Sequence, residues 1–203
     1  MLLNRFEYAL MNNPIRAAIQ RHFEAARLLE MGGRVNGGAA LELGCGRGVG
    51  AELVLDVFGA RSVDAFDLDP SMVDHARARL KCRGNSVRLW VGDATAVPSR
   101  DSTYDAVFDF GIVHHVPSWE KALQEVSRVL KPGGRFYAEE VLATFIDNRV
   151  IRWCFRHPES NRFGRQRFRE VLGDVGLVPQ ASMDLWGVIA WFIANKPGAA
   201  ADP

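Results

Sequence analysis

The run Leu41-Glu42-Leu43-Gly44-Cys45-Gly46-Arg47-Gly48-Val49-Gly50 sets an acid immediately before alternating glycines. Glycines at a strand-to-helix turn let the backbone approach a ligand closely, and the helix after the turn offers unpaired N–H groups. A cofactor would sit on such a turn, although Gly-x-Gly alone is weak evidence and a ligand-free glycine turn is the alternative. Asp67 lies 23 residues beyond Gly44, with Asp69 beside it. A carboxylate at that distance can accept from both ribose hydroxyls of an adenosine group, which suits a dinucleotide and any other adenosine ligand alike.

Charge separates those ligands. The spacing is Gly-x-Gly-x-Gly, because the sixth position counted from Gly44 is Val49, and Glu42 stands just before the turn. A carboxylate there repels a pyrophosphate and tolerates an ammonium. The pattern favours a cationic cofactor.

These residues need a frame, and the rest of the chain supplies one. Short apolar runs at Ala39–Leu43, Ser62–Phe66, Val87–Val91, Ala106–Phe110 and Arg135–Val141 read as strands. Helical periodicity fills the intervals Val49–Phe58, Ser71–Arg83 and Trp119–Leu130. Strand and helix in alternation imply a parallel sheet covered on both faces. Gln166–Val175 reads as a further helix, and Leu177–Asp184 and Val188–Ala194 as strands joined by a hairpin-like link at Leu185–Gly187, so the last strand should be antiparallel. The first 35 residues read as helix, with an apolar stripe at Leu3, Phe6 and Leu10, then Asn13 and Pro14 as cap and first position of a second helix running to about Glu30.

With 203 residues, one domain is expected: a helical lid at 1–35, a cofactor-binding core at 36–142, a substrate-side insertion at 143–169, and a terminal helix and hairpin at 170–203. The 25 basic and 24 acidic residues leave a net charge of +1, which argues against a general nucleic-acid binder. The three cysteines, Cys45, Cys82 and Cys154, suit neither a disulfide framework nor a metal site, so a reducing cytoplasm is the expectation. Met1–Met11 does not read as a signal peptide, and the longest uncharged apolar stretch, Leu185–Ala194, is about half of a membrane span. Charge is uneven: residues 42–120 hold 12 acids against 8 bases, whereas 144–169 hold seven arginines against Asp147 and Glu159.

Over about residues 39–142 the chain resembles the class I S-adenosylmethionine-dependent methyltransferases, and within them the small enzymes of ubiquinone and menaquinone biosynthesis. Glu42–Gly48 is similar to the family's first motif, and Phe66-Asp67-Leu68-Asp69 with Pro70-Ser71-Met72 to its second. Gly92-Asp93-Ala94 is similar to the third. Tyr104-Asp105-Ala106-Val107 through His114-His115-Val116, and Arg128-Val129-Leu130-Lys131-Pro132-Gly133-Gly134, complete the set. The resemblance implies a doubly wound α/β fold with a seven-stranded, mostly parallel sheet in the order 3-2-1-4-5-7-6, strand 7 antiparallel. It implies S-adenosyl-L-methionine held by Glu42, Gly44, Cys45, Gly46, Gly48, Asp67, Leu68, Asp93, Ala94 and Phe110. Asp67 would take the ribose, Leu68 would pack on the adenine, and Asp93 would accept from the adenine amino group.

Methyl transfer from a sulfonium is an in-line displacement, so the protein mainly has to align the partners and exclude water. A base helps where the nucleophile starts protonated. Candidates are Asp109, which could instead cap local backbone, and His114 and His115, which could instead be structural. Glu139 and Glu140 alternate in direction, and one should face the pocket. The expected acceptor is a small molecule or a lipid head group. In 144–169, Phe145, Trp153, Phe155, Phe163 and Phe168 interleave with arginines, which suits planar anions, phosphate head groups or a lipid surface, or else a solvated basic face. Peripheral membrane contact through 1–12 and 144–169 is conceivable on this pattern, as is simple closure of the lid over the cofactor. Trp186 and Trp191 are expected in the core. An NAD-linked oxidoreductase and a non-catalytic partner subunit stay open as alternatives, and oligomeric state is unassigned.

Overall fold

The computed structural model describes residues 14–146 and 161–198. Strands β1 (Ala39–Leu43), β2 (Ser62–Asp67), β3 (Val87–Val91), β4 (Tyr104–Phe110), β5 (Leu130–Val141), β6 (Val178–Leu185) and β7 (Ile189–Asn195) form one seven-stranded sheet in the order β3-β2-β1-β4-β5-β7-β6. β1 to β5 pair in parallel, and β7 runs antiparallel to β5 and β6, as the resemblance implies. The central β1 is apolar apart from Glu42 and is buried on both faces, the usual condition of a parallel strand covered by helices.

Helices α1 (Pro14–Ile19) and α2 (Ala25–Gly32) are joined by a π-helical turn (Gln20–Glu24), in which the Ala25 amide bonds the Gln20 carbonyl. The remaining helices are α3 (Val49–Asp56), α4 (Pro70–Leu80), α5 (Trp119–Val129), α6 (Ala143–Ile146) and α7 (Arg165–Asp174). The helix expected over 71–83 stops at Leu80, where a 3-10 turn with Gly84 at φ 55° takes over. The stripe at Leu3, Phe6 and Leu10 lies outside the described residues.

Two apolar cores result, one on each face, and strand alternation assigns residues between them. Phe108, Phe110 and Tyr137 pack with α2, α3 and α4, whereas Val107, Phe136 and Ala138 pack with α5 and α7. Asp109 and Glu140 share the parity of the second set, Glu42 and Glu139 that of the first. Asp105 ties the sheet together from its edge: its carboxylate accepts the Ala39 amide and the Lys131 ammonium, each at 2.8 Å. Burial acts to raise the Asp105 pKa, but those two donors outweigh it and hold the carboxyl below its ordinary value.

Two expectations are corrected. Trp186 is 87% exposed, because it occupies the hairpin turn itself with Gly187, at φ 53° and 67°, closed by Val188 N–H to the Leu185 carbonyl. Trp191 is in the core as expected. Phe163 and Phe168 are not a binding surface: they stack with Trp119 and Phe192 beneath α5. Around them Arg165 pairs with Asp184, and Arg167 with Glu170 and Asp174. Arg149, Arg152, Trp153, Phe155 and Arg156 lie outside the described residues. No helix among the described residues is long and apolar enough to cross a membrane.

Candidate active site

At the carboxyl ends of β1, β2 and β4, where open α/β sheets bind ligands, lies a cavity of about 810 Å³. Its walls are the β1–α3 loop (Gly44 to Arg47), Phe66 to Asp69, Gly92 to Thr95, Phe110 to Ile112 and His115 to Ser118, with Arg16 to Ala18 and Gln20 to His22 closing over them.

The loop is shaped for close approach. Gly44 sits at φ 65°, and a Cβ there would come within 2.5 Å of Ile112 Cγ2. The Gly46 amide donates to Asp67 Oδ2 and the Asp69 amide to Asp67 Oδ1, both at 2.9 Å. This fixes the carboxylate on the cavity wall with lone pairs to spare. Burial raises the Asp67 pKa, and the two amides offset part of that rise. Cys45 is buried, and burial together with the Glu42 charge pushes its thiol up, so it is an inert wall rather than a nucleophile.

Glu42 lies beneath the first turn of α3, hydrogen-bonded by the Ala51 amide. Its Oε2 is buried with no partner among the described residues. Burial, then the neighbouring Asp67 charge, holds its carboxyl well above the usual range. Gly50 makes this placement possible, since a Cβ at that position would overlap Glu42 Oε1. Asp93 is exposed at the opposite wall, its Oδ1 accepting the Thr95 amide and hydroxyl at 2.8 and 2.9 Å. Leu68 is half exposed toward the cavity, while Ala94 and Phe110 are buried in its lining.

The proposed bases separate. His115 lines the cavity; Asp109 and His114 do not. Asp109 is fully buried and caps the Ile112 amide at 2.9 Å. Glu140 accepts the Val113 amide at 2.8 Å, the His114 amide at 3.1 Å and His114 Nδ1 at 2.6 Å. Burial lowers the His114 pKa to about 4, so this last contact is a hydrogen bond from a neutral imidazole. Burial raises Glu140 to about 7, and raises Asp109 well above its ordinary value with the Glu140 charge adding to it. The His114 ring stands 4.2 Å from that of His115, so the hidden network sets where the cavity-facing imidazole sits.

Neither Glu139 nor Glu140 is in the cavity lining. Glu139 accepts Trp191 Nε1 at 2.8 Å and lies 3.9 Å from Arg16, which bonds Glu24 at 2.6 Å. Burial holds Glu139 well above its ordinary value, with Glu24 adding to it. This buried cluster anchors the lid to β5 and β7.

The same segment that builds the cavity matches known proteins. A methyltransferase-domain family model covers residues 40–134. Residues 40–134 thus belong to a methyltransferase-domain family. Phthiotriol/phenolphthiotriol dimycocerosates methyltransferase of Mycobacterium tuberculosis is 30% identical over 178 residues, 86% of this chain and 62% of that protein. Fatty-acid O-methyltransferase of Mycolicibacterium smegmatis is 35% identical over 102 residues, 50% of this chain and 36% of that one. The chain thus spans less than two thirds of these curated relatives. Geranyl diphosphate C-methyltransferase from Streptomyces coelicolor, solved with S-adenosyl-L-homocysteine, superposes with a TM-score of 0.73 at 19% identity, covering 85% of this chain and 75% of that one, which bears on the fold.

The site suits S-adenosyl-L-methionine as the cofactor. Orphaned Glu42 Oε2 and the spare lone pairs of Asp67 present acceptors to hydroxyl and ammonium donors, and the glycine loop leaves room for backbone approach. Sequence reasoning missed Gly50, Ile112 and Arg79. Gly50 stood inside the glycine run, but its partner Glu42 is on a different element, and nothing local links them.

Proposed function

We propose that this chain transfers a methyl group from S-adenosyl-L-methionine to a small-molecule or lipid acceptor. The observation that carries the reading is Asp67: a carboxylate clamped by the Gly46 and Asp69 amides on the wall of an acid-floored cavity. Asp67 would hold the ribose hydroxyls, Leu68, Ala94 and Phe110 the adenine and its surroundings, and Asp93 the adenine amino group. When bound, the cofactor supplies an electrophilic methyl on a sulfonium. Residues of this chain then position, shield and accept. Phe66, Phe110, Ile112, Val116, Ala17 and Ala18 give the cavity apolar walls that exclude water. His115 faces the cavity as the side chain able to take a proton from an acceptor, with His114, Asp109 and Glu140 behind it. The apolar walls and the names of the mycobacterial relatives favour an acceptor with acyl character.

The test is thermal stabilisation of the purified chain by S-adenosyl-L-homocysteine against NADH, followed by transfer of labelled methyl into a lipid extract. Stabilisation by S-adenosyl-L-homocysteine with label entering the lipid fraction is expected. Stabilisation by NADH alone would replace the reading with a dehydrogenase, and cofactor binding without label transfer to any extract would leave a binding subunit.

A further inference from the structure

Exposed apolar side chains are gathered at one end of this molecule. Of the seven large ones among the described residues, Ile15, Ile19, Phe23, Leu68, Val91 and Trp186 stand at the cavity end of the sheet and Val178 at the other. Topology places them: Leu68 and Val91 close β2 and β3, Trp186 turns β6 into β7, and Ile15, Ile19 and Phe23 belong to the lid that covers the cavity. Val178 opens β6, which runs in the direction of β5 because both are antiparallel to β7.

The lid residues and the hairpin join into one strip. Ile15, Ile19 and Phe23 recur at four-residue spacing outside the cavity lining, and the Phe23 and Trp191 rings meet edge to face with centroids 5.7 Å apart. From Trp191 the same face of the hairpin continues through Met183, Ile189 and Leu185, all partly buried, and ends at Trp186 in the turn. Residues 16–18 and 20–22 of the same lid line the cavity, so the strip runs along its mouth. Arginines border it. Arg27 lies over the Phe23 ring at 6.0 Å from its centroid, Arg165 pairs with Asp184 beside the turn, and Arg21 stands on the π-helical turn.

Tryptophan at a boundary between apolar and polar phases, with arginine turned toward phosphate, is the composition of a surface that rests on lipid. Trp186 on a two-residue turn offers depth rather than flat area, which suits immersion among fluid head groups over a shape-matched protein. An acceptor with acyl chains lies in a lipid phase with its head group at that boundary. A mouth seated there receives it without drawing the chains through water.

We propose that the strip from Ile15 to Phe23 and the Trp186 turn form a docking face that seats the cavity mouth on the lipid surface holding the acceptor. The inference rests in part on the acyl-acceptor reading and adds where that acceptor is met. Contact falls on 15–23 and 186; residues 1–12, expected to make it, lie outside the described residues.

The full chain, mixed with vesicles of phosphatidylcholine and phosphatidylglycerol in equal parts, should co-sediment with them, and its tryptophan emission should shift to the blue. Trp186→Ser should remove most of that shift and weaken partition about tenfold, as should the double variant Ile15→Ser, Ile19→Ser. Both should keep the wild-type melting temperature and S-adenosyl-L-homocysteine affinity, because the replaced side chains are exposed. Val178→Ser, at the far end, should partition as wild type does, and vesicles of phosphatidylcholine alone should bind all of them more weakly. Partition that neither variant changes, or that Val178→Ser lowers equally, would overturn the docking face. Self-association of the chain in sedimentation equilibrium, dissolved by either variant, would also overturn it and give the face to a second copy. A wild-type chain that ignores vesicles yet passes labelled methyl into detergent-dispersed lipid loses the docking face and keeps the acceptor reading. Vesicle binding through Trp186 with no label passed to any extract keeps the docking face and removes the acceptor reading.

Discussion

Glu42 and the pair Asp109 and Glu140 are all buried carboxyl groups on adjoining strands, yet they lie on opposite faces of the sheet and use their lone pairs differently. On the cavity face, Glu42 leaves Oε2 without a donor among the described residues, and Asp67 beside it takes one amide per oxygen. On the other face, Glu140 absorbs the Val113 and His114 amides plus an imidazole, while Asp109 takes the Ile112 amide on Oδ1 and, like Glu42, leaves its second oxygen without a donor among the described residues. The residue type and the burial are alike. The difference is place: Glu42 and Asp67 border the cavity, whereas Asp109 and Glu140 lie outside its lining and hold the loop after β4.

The comparison can be broken most directly at Glu140. Glu140→Ala strands three donors and should cost about 3–5 kcal/mol in urea unfolding. A loss under about 1 kcal/mol would mean that the loop does not depend on it. Asp67→Ala should do the reverse, weakening S-adenosyl-L-homocysteine by about 1–3 kcal/mol in calorimetry with a smaller effect on the melting temperature. Gly50→Ala tests the floor indirectly, because the new methyl displaces Glu42. It should cost about 1–3 kcal/mol of stability and weaken the same ligand, whereas Gly173→Ala, with nothing around it, should do neither.

The smallest effect is the one with a pH signature. Burial, then the Glu140 charge, raises Asp109, so the folded state holds a proton that the unfolded chain releases in the ordinary carboxylate range. A group raised in this way contributes most at low pH, and stability falls as pH climbs through that range toward the folded value. Asp109→Asn keeps an acceptor for the Ile112 amide and removes the titration. Melting curves should show the variant gaining on wild type as pH rises above about 4, with the gain vanishing below that. His114, lowered to about 4, acts with the opposite sign between about 4 and 6.5, so wild-type curves alone would hide part of the effect.

Much of the frame was legible because parallel strands are short apolar runs cut off by glycine and helix. The expected bounds of β1 and β3 coincide with those observed, and those of β2 differ by one residue. Departures have local causes. β5 starts at Leu130 because the Lys131 to Gly134 stretch pairs with the tail of β7 through the Gly133 amide and the Gly134 carbonyl. Trp186 was misassigned because hydrophobicity says nothing of φ; the glycine after it was the cue to a two-residue hairpin turn. Phe168 looked like part of an arginine-aromatic surface, but Val171 and Leu172 at helical spacing already marked it as core. The cavity's glycine loop and the Asp67 carboxylate on its wall could be read from spacing. Which histidine of the 114–115 pair faces the cavity could not, since it depends on amides that Glu140 captures from another strand.

The π-helical turn in the lid carries one more consequence. An inserted residue advances everything before it by about 100° around the helix axis and leaves the phase of the later turns undisturbed. Ala25 and Leu28 can therefore stay bedded against the sheet while residues 16–18 and 20–22 line the cavity. Deleting a single residue from 20–24 would give a more regular helix, equally well rooted, whose cations look elsewhere. Evolution could thus retune what the lid greets by phase alone, leaving its footing untouched.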